Sequence, residues 1–483
     1  MQPKKTPPEK AVTGTMRSAH KRGVNPTKRD WVIVGLLLVF FTLNFADKAS
    51  IGFSASQIKA DLAIGDAEYG LLSSGFFWLF AAGAVGIGAL FRWVNLLWGA
   101  PVLMLAWVAT MIPLTMETSF LVLFLSRMAL GFFEGPAHAL CQGIVAVRFS
   151  PQKRALAGSI VNAGSSLGPL LSAPVLTWVI IRFHWHAAFL VLVIIGLVWV
   201  LIWLMTNRGR LQMFNSRLPE SERALLAGRE ENTDANEDIR VPFYTYFRLG
   251  SFWGLAILSF GGYIITSLKT SWLPVFMHEG LGYSQEATGV LVTIPYACAV
   301  VVLISSGAIS GWLLTKGFTS KVARSYLTAV LLIFAGVCLI TFSGIDHGWP
   351  QLVLVVCAFS INSVAFSTAF AGASDFLPAK HRVGFFGCII AVYSVAGILA
   401  PYVVGIIVDR SDTVQHGYSF AFQVAGFAIV ICALIGGYLL DPERSRRVLL
   451  TITARREGRL RAAGCESLSA DSKDMGQAPT ARE

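Results

Sequence analysis

The chain has few charged side chains: Asp, Glu, Lys and Arg make up 14% of its 483 residues, whereas hydrophobic residues make up 54%. An average soluble domain contains about 25% charged residues. The mean hydropathy of +0.62 agrees with this contrast. The composition argues against a soluble enzyme or a disordered chain, and it is typical of an integral membrane protein.

The sequence also lacks several motifs of catalytic and metal sites. Its seven cysteines show no Cys-x-x-Cys spacing, so neither a disulfide framework nor a zinc site is predicted. It contains no Gly-x-x-x-x-Gly-Lys phosphate loop and no His-Glu-x-x-His motif. The basic N-terminal segment has no short apolar core of the kind found in signal peptides. We therefore expect a protein that is not an enzyme and that needs no cofactor or metal.

Long hydrophobic runs are abundant instead. A helix needs about 20 apolar residues to cross the hydrocarbon core of a bilayer. Windows of that length predict twelve spans, at 30–55, 68–92, 95–115, 119–147, 155–181, 187–206, 250–276, 286–315, 322–344, 349–376, 383–409 and 416–440. The predicted fold is an all-α integral membrane protein with twelve transmembrane helices.

The net charge of +11 is distributed unevenly along the chain. Eight Lys and Arg lie in residues 1–29, seven in 207–249 and nine after residue 441. Basic residues concentrate in cytoplasmic segments of membrane proteins, so both termini are predicted to be cytoplasmic. The charge is thus interpreted as a topology signal, and we expect a lipid bilayer rather than nucleic acid as the surrounding partner.

The chain is divided into two halves that resemble each other. The division predicts a basic tail (1–29), a six-helix bundle (30–206), a cytoplasmic linker (207–249), a second six-helix bundle (250–440) and a cytoplasmic tail (441–483). Gly88-Ala89 and Trp93 recur as Gly307-Ala308 and Trp312 at an offset of 219 residues. Two pseudo-symmetric six-helix bundles with a substrate site between them form the major facilitator architecture.

Four ionisable residues lie inside two of the most apolar stretches: Asp47 and Lys48 in span one, Arg127 and Glu134 in span four. A charge at bilayer depth costs about 2.5–3.5 kcal/mol on insertion scales, so such residues are usually functional. An acid that takes up a proton beside a base that binds an anion indicates proton-coupled anion transport. A purely structural set of ion pairs that joins two helices is the alternative.

Helix geometry predicts how these residues are arranged. Glu134 follows Arg127 by seven residues, so both lie on one helix face about 10 Å apart along the axis. His138 and Gln142 continue that face. The directions of the spans place Asp47 and Lys48 level with Arg127, which predicts an outer anion-and-proton site linked to a deeper proton carrier at Glu134. His138 is either an additional proton relay or a neutral histidine that packs between helices.

Several motifs resemble the anion:cation symporter family of the major facilitators. Asn44-Phe-Ala-Asp47-Lys48 is similar to that family's Asn-Tyr-x-Asp-Arg signature, and Arg127-x-x-x-Gly131-x-x-Glu134-x-Pro136 is similar to its fourth span. Further likenesses are Tyr69–Trp78, Asn162-Ala-Gly164 and Ser271-Trp272-Leu273-Pro274. The resemblance covers residues 30–440 and implies a symporter that imports organic anions, such as sugar acids or aromatic acids, with protons.

The resemblance also implies roles for individual residues. Asp47 and Glu134 match proton-coupling carboxylates, Arg127 matches an anion-pairing arginine, and Trp78 and Asn162 match cavity positions. Lys48 stands where the family has arginine, which keeps the charge but loses the planar fork that grips a carboxylate.

Two residues of the second half complete the expectations for the site. Tyr393 is a candidate hydrogen-bonding partner for the substrate. Lys269, near the end of span seven, is expected to extend its side chain to the membrane rim, with a role as a binding residue as the alternative. The loop after span two lacks the acid by which relatives close their cytoplasmic side, so that side must close by other contacts.

The predicted function is proton-coupled import of an organic carboxylate by a monomer, in a bacterial inner membrane. Two alternatives stay open: a proton-driven efflux antiporter, and a membrane sensor that does not transport.

Overall fold

The computed structural model describes residues 27–90, 96–116, 119–149, 151–211, 239, 241–342, 345 and 348–474. In this part of the chain twelve helices are long and apolar enough to cross a membrane. Each coincides with one of the twelve spans predicted from hydropathy. The predicted fold class is therefore confirmed, with the described residues folding almost entirely as helix.

The spans have the following bounds. In the first half they are Lys28–Phe53, Asp66–Leu90, Leu96–Met111, Phe120–Glu134 with Ala137–Arg148, Pro151–Phe183 and Trp185–Leu211. In the second half they are Gly250–Ser271, Gln285–Leu291 with Thr293–Thr315, Lys321–Tyr326 with Leu327–Thr341, Trp349–Ser360 with Val364–Ser374, Ala379–Asp409 and Val414–Leu439. A short helix, Ala55–Leu62, joins spans one and two.

Local sequence explains where several spans begin. Thr27 and Asp30 form a capping box at the start of span one, in which each side chain accepts a hydrogen bond from the other's backbone N–H. Ser119 accepts a hydrogen bond from Val122 N–H at the start of span four. Such caps satisfy N–H groups that have no partner within the first turn of a helix.

Spans four and ten are each interrupted near the middle. Span four breaks at Gly135 and Pro136, immediately after Glu134. Span ten breaks between Ser360 and Val364, so Asn362 lies in the interruption. Interrupted helices leave irregular backbone at bilayer depth, which is tolerated where it is buried in protein or lines a cavity. The interruptions thus mark the interior of the bundle.

Glycines let spans two and four pack backbone against backbone. A Cβ atom added at Gly83 would overlap the carbonyl oxygen of Phe132, and one at Gly131 would overlap that of Phe76. Gly135 lies equally close to the backbone of span two. Small residues permit this close approach between membrane helices. The contacts fix Arg127 and Glu134 relative to the aromatic side chains of span two.

The two halves meet at one end of the bundle, the end at which spans one and seven finish. We call it the closed end. There Gly52 lies against the Thr270 carbonyl, and Gly70 lies against the Pro401 carbonyl. The Tyr69 hydroxyl donates to the Ser271 carbonyl oxygen across the two halves at 2.9 Å. Spans one and two are thereby held against spans seven and eleven.

Ion pairs described at the opposite end join residues within one half. Arg148 pairs with Asp30 at 3.1 Å in the first half, and Arg324 pairs with Asp375 at 3.2 Å in the second. The domain boundaries remain predictions. Most of the linker, 212–238, falls outside the described residues, although Phe243–Arg248 forms a 3-10 turn and the C-terminal tail contains a helix, Pro442–Asp474.

Candidate functional site

The four intramembrane charges of the first half form one buried cluster. Asp47, Arg127 and Glu134 are 2%, 2% and 1% exposed. The Lys48 ammonium lies 3.1 Å from Glu134 Oε2 and donates to Asn44 Oδ1 at 2.8 Å. Asp47 lies close enough to Glu134 and to both bases to interact with them electrostatically. Sequence reasoning identified all four residues, and the structure brings them together.

The predicted separation of a deeper Glu134 from the outer anion-and-proton site of Asp47, Lys48 and Arg127 is wrong. Lys48 contacts Glu134 directly, and Asp47 is close to Glu134 as well. Two features explain why Glu134 is not separate: a lysine side chain reaches across more than one helical turn, and the axes of packed helices cross at an angle. Acid and base groups therefore share one site.

Asp47 and Glu134 lie close together, which restricts how they can bond to each other. Two carboxylates are both hydrogen-bond acceptors, so they bond to each other only when one carries a proton. Like charges at short range also raise the cost of ionising both groups. The cluster thus places two acids and two bases within reach of one another.

Arg127 retains hydrogen-bonding capacity beyond the protein groups around it. Its Nε and Nη1 atoms are buried and have no hydrogen-bond partner among the described residues. Buried polar groups are nearly always satisfied, so an exception calls for an explanation. Two N–H groups of a guanidinium match the geometry of a carboxylate or phosphate. Arg127 is therefore equipped to bind an anion.

Aromatic rings enclose the two bases. The Lys48 ammonium lies 4.4 Å from the ring centroid of Phe45 and 5.3 and 5.4 Å from those of Phe76 and Phe80. The Arg127 guanidinium carbon lies 5.5 Å from the Phe76 centroid. Cation–π contacts of this kind stabilise a positive charge without neutralising it. The low polarity of the rings also strengthens any ion pair formed there.

A second polar group lies further along span four, beyond its interruption. His138 is exposed within the bundle, where its ring faces that of Phe41 at 5.8 Å. Gln142 Nε2 donates to Asn162 Oδ1 at 3.1 Å, and His138 also interacts with Asn162. The structure thus brings His138 and Asn162 together between spans one, four and five, as the predicted polar face requires.

The second half contributes an aromatic cluster. The Tyr393 and Tyr263 rings lie 4.5 Å apart, and Phe366 lies 5.3 Å from Tyr393. Tyr263 also lies 5.5 Å from the ring of Phe77, which belongs to the first half. These rings place Tyr393 beside the junction of the two halves.

Trp78 does not join the site. Its side chain is 47% exposed, packs edge-on against Phe124 and donates to Ser74 Oγ at 3.2 Å. Two residues along a helix correspond to a rotation of about 200°, so Trp78 points away from the face on which Phe76 contacts the bases. The expectation that it lines the substrate path came from a motif match alone, and the packing of its side chain does not support it.

Lys269 also differs from its predicted position. The expected rim lysine is only 3% exposed, and its ammonium donates to Asn362 Oδ1 at 2.8 Å. Asn362 belongs to the interruption of span ten. The helix interruption supplies a buried acceptor that hydropathy does not reveal, so Lys269 turns inward.

Sequence reasoning missed an ion-pair cluster at the closed end, which we call the Lys59 latch. The Lys59 ammonium pairs with Glu279 at 2.6 Å and with Asp66 at 2.9 Å, and Ser56 donates to Glu279 at 3.0 Å. Glu279 belongs to the second half, so two of these contacts bridge the halves. Burial lowers the pKa of Lys59, but the two carboxylates outweigh it and raise the pKa above its ordinary value.

A signal for this latch was available in the sequence. Lys59 and Glu279 are oppositely charged residues in short connections that follow spans one and seven, which occupy equivalent places in the two halves. Hydropathy and helical periodicity carry no information about such connections, so the pairing emerges only from the folded arrangement.

Comparison with known families supports a transporter fold. A profile of the Major Facilitator Superfamily matches residues 36–401 and, in an overlapping second match, 318–463. The chain is 25% identical over 413 residues to the hexuronate transporter of Bacillus subtilis (strain 168), covering 83% of this chain and 92% of that protein. It is 23% identical over 404 residues to a probable galactarate/D-glucarate transporter of Escherichia coli (strain K12), covering 80% and 88%.

Solved structures share the fold at lower sequence identity. A bacterial homolog of the human lysosomal transporter Spinster, inward-facing and unoccupied, superimposes with a TM-score of 0.68 at 16% identity, covering 88% of this chain and 99% of that one. A D-xylose-proton symporter superimposes with a TM-score of 0.64 at 15% identity, covering 86% of this chain and 99% of that one. At this identity the likeness concerns the fold alone.

Proposed function

The chain belongs to the major facilitator superfamily and is a membrane transporter, and from this premise we propose that it imports an organic carboxylate together with protons. The observation that carries the proposal is the contact of Lys48 with Glu134 inside a buried cluster that also contains Asp47 and Arg127. One small site thus holds both the groups that bind an anion and the groups that bind a proton.

The coupling follows from competition for the same bases. When Glu134 and Asp47 are ionised, Glu134 pairs with Lys48, and both carboxylates attract Arg127 electrostatically. Protonation removes negative charge from the cluster and releases a base, which a substrate carboxylate then pairs with. Because linkage between two binding equilibria is reciprocal, a bound anion also favours the protonated acids. Neither ligand alone restores the charge balance, so the two move together.

The arrangement of the halves supports alternating access. The closed end is held by the Lys59 latch and by glycine-mediated contacts, while the ion pairs described at the opposite end stay within one half. With both termini cytoplasmic, as charge distribution predicts, the closed end faces outward. Proton and substrate released from the cluster would then leave past His138 and Asn162 toward the cytoplasm.

The substrate class rests on the site and on the relatives' names. The relatives are named for hexuronate and for galactarate/D-glucarate, all of which are polyhydroxy carboxylates. Gln142, Asn162 and Tyr393 supply amide and phenol groups suited to sugar hydroxyls, and the aromatic cluster suits an aromatic acid equally. We propose a monomeric importer of a sugar acid or an aromatic acid in a bacterial inner membrane.

A test separates proton coupling from substrate translocation. The purified protein is reconstituted in liposomes, and uptake of labelled galactonate, galactarate and protocatechuate is measured with and without an inward proton gradient. In Glu134→Gln, gradient-driven accumulation should be lost, because a neutral amide replaces the carboxylate that pairs with Lys48, whereas exchange of internal for external substrate persists. Glu286→Gln, which removes an exposed carboxylate, serves as the matched control and should accumulate substrate normally.

Two results would contradict the proposal. Accumulation in Glu134→Gln equal to that of the wild type would show that the coupling acid lies elsewhere. Accumulation only when the gradient runs outward would indicate an efflux antiporter in place of an importer.

A further inference from the structure

Lys269 of span seven is a buried cation outside the charged cluster. Its side chain is 3% exposed, and its ammonium donates to Asn362 Oδ1 and lies 4.5 Å from the ring centroid of Tyr296. These contacts come from spans ten and eight. Lys269 therefore lies inside the second half, among side chains of three helices.

The charge of Lys269 is uncompensated by protein groups. No carboxylate of the described residues lies within 4.0 Å of its ammonium, in contrast to Lys48, Lys59 and Lys321. An ammonium has three N–H donors, and Asn362 is the one hydrogen-bond acceptor that the described residues offer it. Burying a charge without a counter-ion is costly, so the site is suited to an anion.

Tyr296 provides an independent indication. Its side chain is 4% exposed, and its hydroxyl has no hydrogen-bond partner among the described residues. The same ring lies beside the Lys269 ammonium. A buried phenol without a partner next to a buried ammonium without a counter-ion gives two kinds of donor that a carboxylate oxygen accepts from.

A chain of contacts leads from Lys269 to the junction of the halves. Asn362 Nδ2 donates to Thr266 Oγ1 at 2.9 Å. Thr266 is partly exposed and lies one turn from Tyr263, which contacts Phe77 of the first half. The repeat offset of 219 residues also maps Asp47 onto Thr266. Hydrogen bonds through Asn362, in the interruption of span ten, thus connect Lys269 with Thr266 on the partly exposed face of span seven.

We propose that Lys269, together with the Tyr296 hydroxyl, binds a second carboxylate of the substrate, so that the preferred substrate is a dicarboxylate. The first carboxylate pairs with Arg127 and Lys48, as the proposed function requires, and the inference rests on that function. The two basic sites belong to opposite halves. A substrate with a carboxylate at each end bridges them and stabilises their approach.

The test compares two open-chain sugar acids of the same stereochemistry, galactonate with one carboxylate and galactarate with two. Inhibition constants against uptake of labelled galactarate are measured in proteoliposomes. In the wild type, galactarate should bind at least about tenfold more tightly than galactonate, since a hydrogen bond to a charged group is worth that factor or more. Lys269→Gln should lose this preference through weaker galactarate binding, with galactonate nearly unchanged.

Two further variants make the result specific. Tyr296→Phe removes only the hydroxyl and should lower the preference for galactarate by a smaller factor, without loss of folded protein. Lys316→Gln, at an exposed lysine beyond the end of span eight, is the matched control and should keep the full preference.

Other outcomes would overturn the inference. An unchanged galactarate-to-galactonate ratio in Lys269→Gln would exclude a carboxylate contact. Replacement of chloride by methanesulfonate tests for a bound inorganic anion. If this replacement changes galactarate binding by the wild type but not by Lys269→Gln, the site binds an inorganic anion. If galactonate is transported with protons but galactarate is not preferred, only this inference fails. If the wild type carries neither acid, the proposed function fails as well.

Discussion

Removal of the Glu279 carboxylate should open the closed end of the transporter. Glu279 accepts hydrogen bonds from Lys59 at 2.6 Å and from Ser56 at 3.0 Å, both across the halves. A hydrogen bond to a charged group contributes about 1.5–3 kcal/mol when buried, whereas a fully exposed ion pair contributes about 0.2–1 kcal/mol. The Lys59 and Glu279 side chains are 14% and 23% exposed, so we expect about 1–2 kcal/mol in total.

This free energy determines the size of the effect. A change of about 1–2 kcal/mol shifts the ratio of open to closed states by a factor of about 5–30. Hydrogen–deuterium exchange of the segments 55–62 and 273–280 reports the opening, because their backbone amides become accessible when the halves separate. In Glu279→Gln, exchange in both segments should accelerate by about that factor.

Asp66→Asn is the matched control. Asp66 also pairs with Lys59, at 2.9 Å, but both residues belong to the first half. The substitution removes an ion pair of similar burial without removing a contact between the halves. Equal exchange rates in Glu279→Gln and the wild type, or equal acceleration in both variants, would refute the idea that the latch holds the halves together.

The protonation of Lys59 gives the stability of the latch a defined pH dependence. The carboxylates raise the pKa of Lys59 above its ordinary value. A raised pKa in the closed state means that the stabilisation is complete below the ordinary pKa and is lost only as pH rises through the raised value. Deprotonation of Lys59 should therefore not open the latch between about pH 6 and pH 9.

Two further predictions concern the cluster and its surroundings. Arg127→Ala should weaken binding of galactonate and galactarate by at least about tenfold, measured by inhibition of uptake, because it removes the only guanidinium of the cluster; unchanged affinity would exclude its role in anion binding. Trp78→Ala should leave the inhibition constants within about twofold of the wild type, because its side chain points away from the bases; a tenfold loss of affinity would show that Trp78 faces the substrate path after all.

The fold could be predicted from the sequence because each span must satisfy its backbone within itself and bury an apolar surface in lipid. Length and hydropathy report both requirements directly. The members of the charged cluster were predictable for a related reason, since Asp47 and Glu134 are conspicuous in apolar surroundings. The distances between these residues could not be predicted, because the spacing of residues along one helix does not determine how far their side chains reach or how two helices cross.

The remaining differences have separate physical reasons. The packing of Trp78 could not be predicted, because a motif match identifies a residue but does not say which face of the helix it lies on relative to neighbouring helices. Lys269 turns inward because the interruption of span ten places Asn362 within its reach. The Lys59–Glu279 pair joins residues 220 positions apart. A local sequence pattern does not predict contacts between segments so far apart in the chain.

The glycines at the closed end bear on how quickly the transporter can turn over. Gly52, Gly70 and Gly405 bring helix backbones of the two halves together without intervening side chains. Separating two surfaces costs about 25 cal/mol for each Å² of apolar area that becomes wet. Bare backbone presents little such area, and the carbonyl groups it exposes are readily hydrated. At these three positions the outward opening therefore meets a low barrier from wetting, and the resistance to each cycle comes from the side-chain contacts between the halves, the Lys59 latch among them.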